Sequence, residues 1–182
     1  LLLTLPAAAF AASDDPTATI CTGKYALCTS APCIPDPLNP NRTICECEVT
    51  TGMNFAFDSC GDRKPKIADD GSERLNSTYG FVQAASKPVM TCPQGTLWSD
   101  CLGVPCTVDP RNPLRAICSC KIATPEEYPE DYVTYGGDCN TLSCDTAMWS
   151  AATIESFAAG TQDLLLAMKL KDSPIQFCPT AN

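Results

Sequence analysis

The sequence predicts a small disulfide-rich fold that is mainly β with short helices, arranged as a tandem duplication of one cysteine-framed unit. Two observations carry this prediction: the 182 residues include 14 cysteines and no histidine, and one cysteine frame occurs twice, 73 residues apart. Cytosolic proteins rarely carry so many thiols, because that compartment keeps them reduced. We therefore expect a protein of an oxidising space, which is secreted, periplasmic or on a cell surface, and of these we favour a secreted protein outside the cell or on its surface.

The repeated frame places a Pro-Cys pair before a Cys-x-Cys pair. It spans Pro32–Cys47 and then Pro105–Cys120, and the preceding Cys28 corresponds to Cys101. Over Ala31–Val49 against Val104–Ile122, ten of 19 positions are identical. One small unit is therefore predicted to be used twice.

The frame predicts the domain organisation of the chain. Residues 21–91 form the first cysteine-rich unit, and residues 92–182 form the second unit with a C-terminal helical segment. Each unit is near the size at which a single core is only marginally stable, so disulfides are needed.

Residues 1–20 are predicted to form an apolar N-terminal arm or to be the remnant of a secretory signal peptide. Small residues at Ala9 and Ala11 precede a polar stretch, a pattern typical of a signal-peptide cleavage site. In an extended arm, alternate leucines share one face, and such an arm can add as a strand to a neighbouring subunit. The alternative is that the arm folds back onto its own domain. The predicted assembly residues are Leu1, Leu2, Leu3, Leu5 and Phe10.

An aromatic residue lies three positions before the second cysteine of each unit, as Tyr25 and Trp98. Small cores depend on aromatic rings, so a ring packed over a disulfide is the first interpretation and a ligand-stacking role is the second.

Proline-rich segments follow at residues 34–41 and 107–114. Proline restricts its own φ angle and the residue before it, so Asp-Pro and Asn-Pro favour consecutive turns. We expect rigid exposed loops that lead into strands at residues 42–49 and 115–122. On these strands the two cysteines of each Cys-x-Cys pair share a face and should each reach another cysteine.

The C-terminal part carries the helical prediction. Residues 145–159 contain good helix formers and are expected to form a short helix that stops at Gly160. Residues 161–170 fit either a second helix or a strand.

The even number of cysteines predicts that all of them form disulfides, although six cysteines alone allow 15 connectivities. Two groupings fit: six cysteines from Cys21 to Cys60, six from Cys92 to Cys139 and the remaining two, or seven per unit with Cys92 closing the first unit and one bridge between the units. A zinc site is disfavoured, because each Cys-x-Cys pair lacks the second closely spaced cysteine pair that would complete the four ligands of a structural zinc ion. The predicted disulfide residues are Cys21, Cys28, Cys33, Cys45, Cys47, Cys60, Cys92, Cys101, Cys106, Cys118, Cys120, Cys139, Cys144 and Cys178.

Charge and hydropathy exclude several partners. The net charge of −9 argues against nucleic acid and anionic lipid as partners. No apolar run approaches the roughly 20 residues that span a bilayer, so no membrane span is expected.

The sequence also limits catalytic chemistry. Without histidine, Ser-His-Asp and Cys-His arrangements are excluded within this chain. Acidic pairs remain, but both acidic clusters read as solvated turns, with a loose calcium loop as the alternative for the first. The clusters contain Asp69, Asp70 and Glu73, and Glu126, Glu127, Glu130 and Asp131. We expect no enzyme activity, no catalytic residues, no cofactor and no metal.

Two N-glycosylation sequons begin at Asn41 and Asn76, so attached glycans are a predicted modification. In addition, the segment Tyr25–Cys28 with Cys33, and Trp98 and Cys101 with Pro105-Cys106, resemble secreted cysteine-rich bacterial proteins of unassigned function. The resemblance covers the two cysteine frames, about half of the chain, and implies no active residue.

These observations predict a non-enzymatic extracellular structural protein, a filament, fibril or surface-layer subunit that polymerises with itself through the apolar arm. The alternative is a secreted disulfide-rich binding module, such as an inhibitor, lectin or adhesin, that presents its rigid proline loops.

Overall fold

The fold is mainly β. The computed structural model describes residues 18–84, 86–136, 139, 144 and 148–179, so the five predicted arm residues lie outside the described part. The strands are β1 (Thr19–Leu27), β2 (Pro32–Asp36), β3 (Asn39–Ala56), β4 (Lys66–Ile67), β5 (Glu73–Thr78), β6 (Val89–Cys92), β7 (Trp98–Asp100), β8 (Pro105–Asp109), β9 (Asn112–Ala123), β10 (Tyr132–Tyr135) and β11 (Met148–Thr153). They join in one 11-stranded sheet, accompanied by the 3₁₀-helix Phe81–Gln83 and the helix α1 (Ile154–Met168).

The centre of the sheet is the antiparallel pair formed by β3 and β9, one strand from each predicted unit. Cys45 lies opposite Cys118, and these residues are 73 positions apart, like the two cysteine frames. On the outer face, Arg42 Nε donates to Ser119 Oγ (2.7 Å). Arg115 and Glu46 are the residues that correspond to Arg42 and Ser119 at the 73-residue offset, and they form an ion pair (3.6 Å). The pairing is therefore symmetric about the Cys45–Cys118 pair.

The same symmetry extends to the flanking strands. β5 pairs in parallel with β1, Ala26 facing Ser77, and β11 pairs in parallel with β7, Ser99 facing Ser150. Each of these strands then pairs antiparallel with the other unit: β5 with β8, and β11 with β2. Strands from residues 21–91 thus pair with strands from residues 92–182, and the predicted boundary between residues 91 and 92 falls inside β6.

All 14 cysteines form disulfides. The seven bridges are Cys21–Cys60, Cys28–Cys47, Cys33–Cys45, Cys92–Cys144, Cys101–Cys120, Cys106–Cys118 and Cys139–Cys178. Cys92 pairs with Cys144 and Cys139 with Cys178, so the grouping into six, six and two cysteines is wrong. The pairs fit the grouping that counts Cys92 with the first unit, because Cys92–Cys144 is then the one bridge between two sets of seven. The two frames share sequence separations of 19 and 12 residues between bridged cysteines.

Four of these disulfides form the middle of the core. They are the four with separations of 19 and 12 residues, and they share one buried cluster with Ala26, Leu75 and Ala116. Sulfur atoms meet across the symmetric strand pair, with Cys28 Sγ 3.3 Å from Cys118 Sγ and Cys101 Sγ 3.5 Å from Cys45 Sγ. Disulfides here occupy the volume that aliphatic side chains fill in larger proteins.

The prediction of rigid exposed loops over residues 34–41 and 107–114 is wrong in extent, because most of each proline-rich segment is strand. Each forms a tight β-hairpin, β2–β3 and β8–β9, with two residues at the tip between Asp36 and Asn39 or between Asp109 and Asn112. The side chain of Asp36 accepts from the Leu38 amide (2.9 Å), and Asp109 accepts likewise from Arg111 (2.8 Å). Proline supplies the turn φ angle at the tip, while the register shift beside the turn accommodates the missing amide donors.

The helical predictions also need correction. Among the described residues there is one α-helix, not several short helices, and it begins at Ile154. Residues 148–153 are the strand β11, because they complete a sheet with β7 and β2. Gly160 lies inside the helix and is buried, and the undecided segment continues the helix to Met168.

Candidate functional site

The two sequons occupy different environments. Asn41 is exposed beside the first hairpin tip, whereas the half-buried Asn76 pairs with Pro105 inside the sheet. An attached glycan needs an accessible amide, so Asn41 is the better placed acceptor.

The predicted acidic residues lie in turns and loops, except Glu73, which is the first residue of β5. Asp70 accepts from the Ser72 amide (2.9 Å), which forms the turn between β4 and β5, while Glu73 pairs with Lys24 (2.6 Å). In the second cluster, Glu127 pairs with Lys121, and Asp131 accepts from the Gln94 amide (2.9 Å). These carboxylates are engaged in turn formation and surface ion pairs.

The aromatic residue of the second unit lines a cavity of about 210 Å³. Trp98, which is 3 % exposed, lies 5.3 Å from the Tyr128 ring and 5.5 Å from the Tyr132 ring, measured between centroids. Trp98 also shares a buried cluster with Cys92, which agrees with a ring packed beside a disulfide. Phe57 and Tyr79 also line the cavity, so residues from both predicted units contribute to its walls.

Asp100 is the charged group of this cavity. Its Oδ1 accepts from the Leu102 amide (3.1 Å). Burial raises the pKa of the Asp100 carboxyl above its usual range, although the Leu102 hydrogen bond and Lys121 oppose the shift. A carboxylate among aromatic rings is suited to contact a small cation or a polyhydroxylated ligand.

This raised pKa predicts the effect of Asp100→Asn. The folded state binds the proton more tightly than the unfolded state, so the charged carboxylate costs stability once the pH rises above the unfolded pKa of about 3.9. The asparagine side chain keeps an oxygen that accepts from the Leu102 backbone amide, and it carries no charge to bury. We expect the variant to be more stable than the parent at pH 7 and equally stable at pH 3, measured by urea unfolding.

Asp69→Asn is the matched control for this experiment, because Asp69 is exposed. Its stability should follow the parent at both pH values. A loss of stability in Asp100→Asn that is equal at pH 3 and pH 7 would contradict the assigned cause.

An apolar groove runs along the outer side of α1. It has a volume of about 390 Å³. Its walls are the helix, β10 and the C-terminal segment after the helix, which includes Ser173, Ile175 and Phe177. The segment is held beside β6, because the Val89 amide donates to the Gln176 carbonyl (2.6 Å) and the Cys178 amide donates to the Val89 carbonyl (2.7 Å). The apolar lining side chains are Val133, Ile154, Phe157, Leu165, Ile175 and Phe177.

The groove remains open to solvent. Phe177 is 62 % exposed and Ile154 is 43 % exposed. Contiguous apolar surface of this kind marks interaction sites in soluble proteins. Sequence reasoning missed it because the helix was placed too early; a helix beginning at Ile154 puts Phe157, Thr161 and Leu165 on one face by their spacing.

Two groups of three sulfur atoms lie close enough to bind a metal ion, namely Cys28, Cys106 and Cys118, and Cys33, Cys45 and Cys101. Metal coordination requires thiolates, and these sulfur atoms are paired in disulfides instead. Their proximity is accounted for by the packing of the four central bridges.

Seven disulfides suggest an oxidising environment, as in extracellular or secreted proteins. Among the described residues, no helix is long and apolar enough to cross a membrane. Comparison of the chain with protein-family models, with curated proteins and with solved structures found no match.

Proposed function

We propose that this protein is a non-enzymatic, secreted structural protein that assembles with copies of itself into filaments, fibrils or a surface layer. The observation that carries the proposal is the open apolar groove along α1, which is large and hydrophobic enough to accept an apolar segment. The disulfide core of the same fold is suited to an extracellular assembly exposed to proteases.

The occupant of the groove is the N-terminal arm of a second copy. Residues 1–12 contain no charged side chain and include four leucines and one phenylalanine. Ala18, the first described residue, is buried in a cluster with Leu164, which is part of α1. An extended segment of residues 1–17 spans at most roughly 55–60 Å, enough to reach an adjacent molecule. Insertion of each arm into the next copy produces an open filament when the rotation does not close.

A tandem duplication underlies this architecture. The support is the 73-residue offset, which relates β1 to β7, β2 to β8, β3 to β9 and β5 to β11 through equivalent pairings. We infer that an ancestral unit paired with itself around the Cys45–Cys118 position and that fusion placed both copies in one chain.

Assembly is tested by sedimentation velocity and negative-stain imaging of the full chain, of the chain without residues 1–12, and of Phe177→Ser. We expect each of the two changes to weaken self-association by about tenfold to a hundredfold. Each change removes apolar burial that contributes about 1.5–3 kcal/mol or more to the free energy of association. Leu38→Ser is the control, because Leu38 is 93 % exposed at a hairpin tip outside the groove.

The outcomes separate the alternatives. Particles that remain monomeric in the parent at every concentration would reject self-assembly. Assembly that survives both the arm deletion and Phe177→Ser would reject the arm-in-groove contact. Equal loss in the Leu38→Ser control would show that general surface hydrophobicity, not the groove, drives association.

A second candidate is a secreted binding module, and the hairpin tips favour it. Both tips are pinned by side-chain hydrogen bonds, yet they present different residues at equivalent positions, Leu38 in one and Arg111 in the other. Rigid tips on a stiff scaffold are a common way to present contacts. The Leu38→Ser/Arg111→Ser protein should keep its unfolding temperature and lose any binding found on a glycan array or to a panel of proteases.

A further inference from the structure

A second cavity, of about 140 Å³, lies over one face of β1 in the first unit. Cys21, Gly23 and Tyr25 alternate onto the same face of this strand, and Asn54 of β3 lies opposite Cys21. A Cβ built on Gly23 would meet no atom within 4 Å. The cavity therefore exists because the middle position of this face has no side chain.

One end of the cavity holds a buried cation. Arg63 is 6 % exposed. Its Nη2 donates to the Thr19 carbonyl (2.7 Å) and contacts Cys21 Sγ, its Nη1 donates to Asn54 Oδ1 (3.4 Å), and its Nε has no hydrogen-bond partner in the described part of the chain. None of the ion pairs among the described residues includes Arg63, and Asp58 acts on it only from a greater distance. A buried guanidinium without a counter-ion is costly, so this end favours an anion.

The other end carries hydroxyl groups. Tyr25 is 2 % exposed and Thr78 is fully buried, and neither hydroxyl has a hydrogen-bond partner in the described residues. Burial raises the pKa of Tyr25 to about 12, so its hydroxyl stays protonated at neutral pH. The flat ring of Tyr25 also offers an apolar wall.

The surroundings restrict the charge and size of a ligand. Lys24 is already paired with Glu73 (2.6 Å), which leaves Arg63 inside and the exposed Lys64 at the rim. The net charge of −9 disfavours a polyanion. The volume is below the roughly 300 Å³ of sites for drug-sized ligands, so it suits a molecule of monosaccharide size.

We propose that this cavity binds a small hydroxyl-bearing carboxylate of sugar-acid size. The carboxylate accepts hydrogen bonds from Arg63, and the hydroxyl-bearing body lies over Gly23 against the ring of Tyr25. This ligand site is independent of the self-assembly proposed above, because it uses neither the arm nor the α1 groove.

The test is a ¹H–¹⁵N titration of the full chain with D-glucuronate, and with D-glucose as the uncharged compound of matched shape. We expect saturable binding of D-glucuronate, with shifts at Gly23, Tyr25 and Thr78, and at least tenfold weaker binding of D-glucose. Arg63→Gln should weaken D-glucuronate binding at least tenfold, because hydrogen bonds to charged groups contribute about 1.5–3 kcal/mol.

Gly23→Leu keeps the test decisive if Arg63→Gln does not fold. Its side chain enters the open space above β1 and should abolish binding while Arg63 stays in place. Lys64→Gln removes an exposed charge at the rim and should change affinity by less than about twofold, since exposed charges contribute little. Absence of saturable binding up to about 50 mM, a weak affinity in any protein–ligand pair, would overturn the proposal. Equal binding of D-glucose, or unchanged binding in Gly23→Leu, would overturn it as well.

Discussion

Removing one central disulfide through Cys28→Ala/Cys47→Ala is expected to lower the free energy of unfolding by about 4–5 kcal/mol. About 3 kcal/mol comes from releasing a loop with a separation of 19 residues in the unfolded chain. The remainder comes from lost packing, because both half-cystines are fully buried and Cys28 Sγ touches the sulfur of Cys118. Guanidinium unfolding of the oxidised protein measures the change.

The matched control is Cys21→Ala/Cys60→Ala. This bridge closes a longer loop, with a separation of 39 residues, but Cys60 is exposed at the surface. Chain entropy alone would make the control the more damaging variant by about 0.6 kcal/mol. We expect the opposite order, because the central bridge also serves as core packing. A larger loss in the control would show that the central sulfur cluster contributes no packing energy.

The second large effect is expected from Gly160→Ala, which should lower the free energy of unfolding by about 2–3 kcal/mol. Helix propensity predicts the reverse, since alanine is favoured over glycine in a helix interior by about 1 kcal/mol. The tertiary contact decides the sign, because a Cβ on Gly160 would overlap with Cε2, Cζ and Cδ2 of the Phe55 ring. The ring of Phe55 is itself 3 % exposed and is held at an edge-to-face contact with Tyr79, so it has little room to move.

Two further variants test this explanation by thermal and urea unfolding. In the Phe55→Ala background the ring is absent, so Gly160→Ala should become neutral or stabilising. Ala159→Gly, at the exposed neighbouring position of the same helix, should cost only the propensity difference of about 1 kcal/mol. Stabilisation by Gly160→Ala in the parent protein would contradict the close contact described here.

Sequence reasoning performed best where local chemistry decides the outcome. The Cys-x-Cys pairs predicted strands with both sulfurs on one face, and Cys45, Cys47, Cys118 and Cys120 are all buried in β3 and β9. The disulfide-rich β class is confirmed for the same reason. Prediction was poorer for the proline segments, because proline at a hairpin tip and proline in an irregular loop have the same local preference.

The candidate sites were less predictable than the fold class. The aromatic positions Tyr25 and Trp98 were identified from the sequence, and each lines a cavity. Nothing local indicated that Arg63 would be buried beside Thr19, 44 residues earlier in the chain. The α1 groove was missed because residues 148–153 have helix-forming composition yet complete a sheet edge.

By itself the sequence determined the class of the protein: an acidic, histidine-free, disulfide-stapled β protein with one frame used twice. Local residue preferences and strand periodicity act over a few positions, so they are readable without coordinates. Only the tertiary structure decided which cysteines pair, that β5 and β11 each complete the sheet of the other unit, and that Gly160 must stay glycine. These outcomes depend on contacts between distant residues, which local preference does not encode.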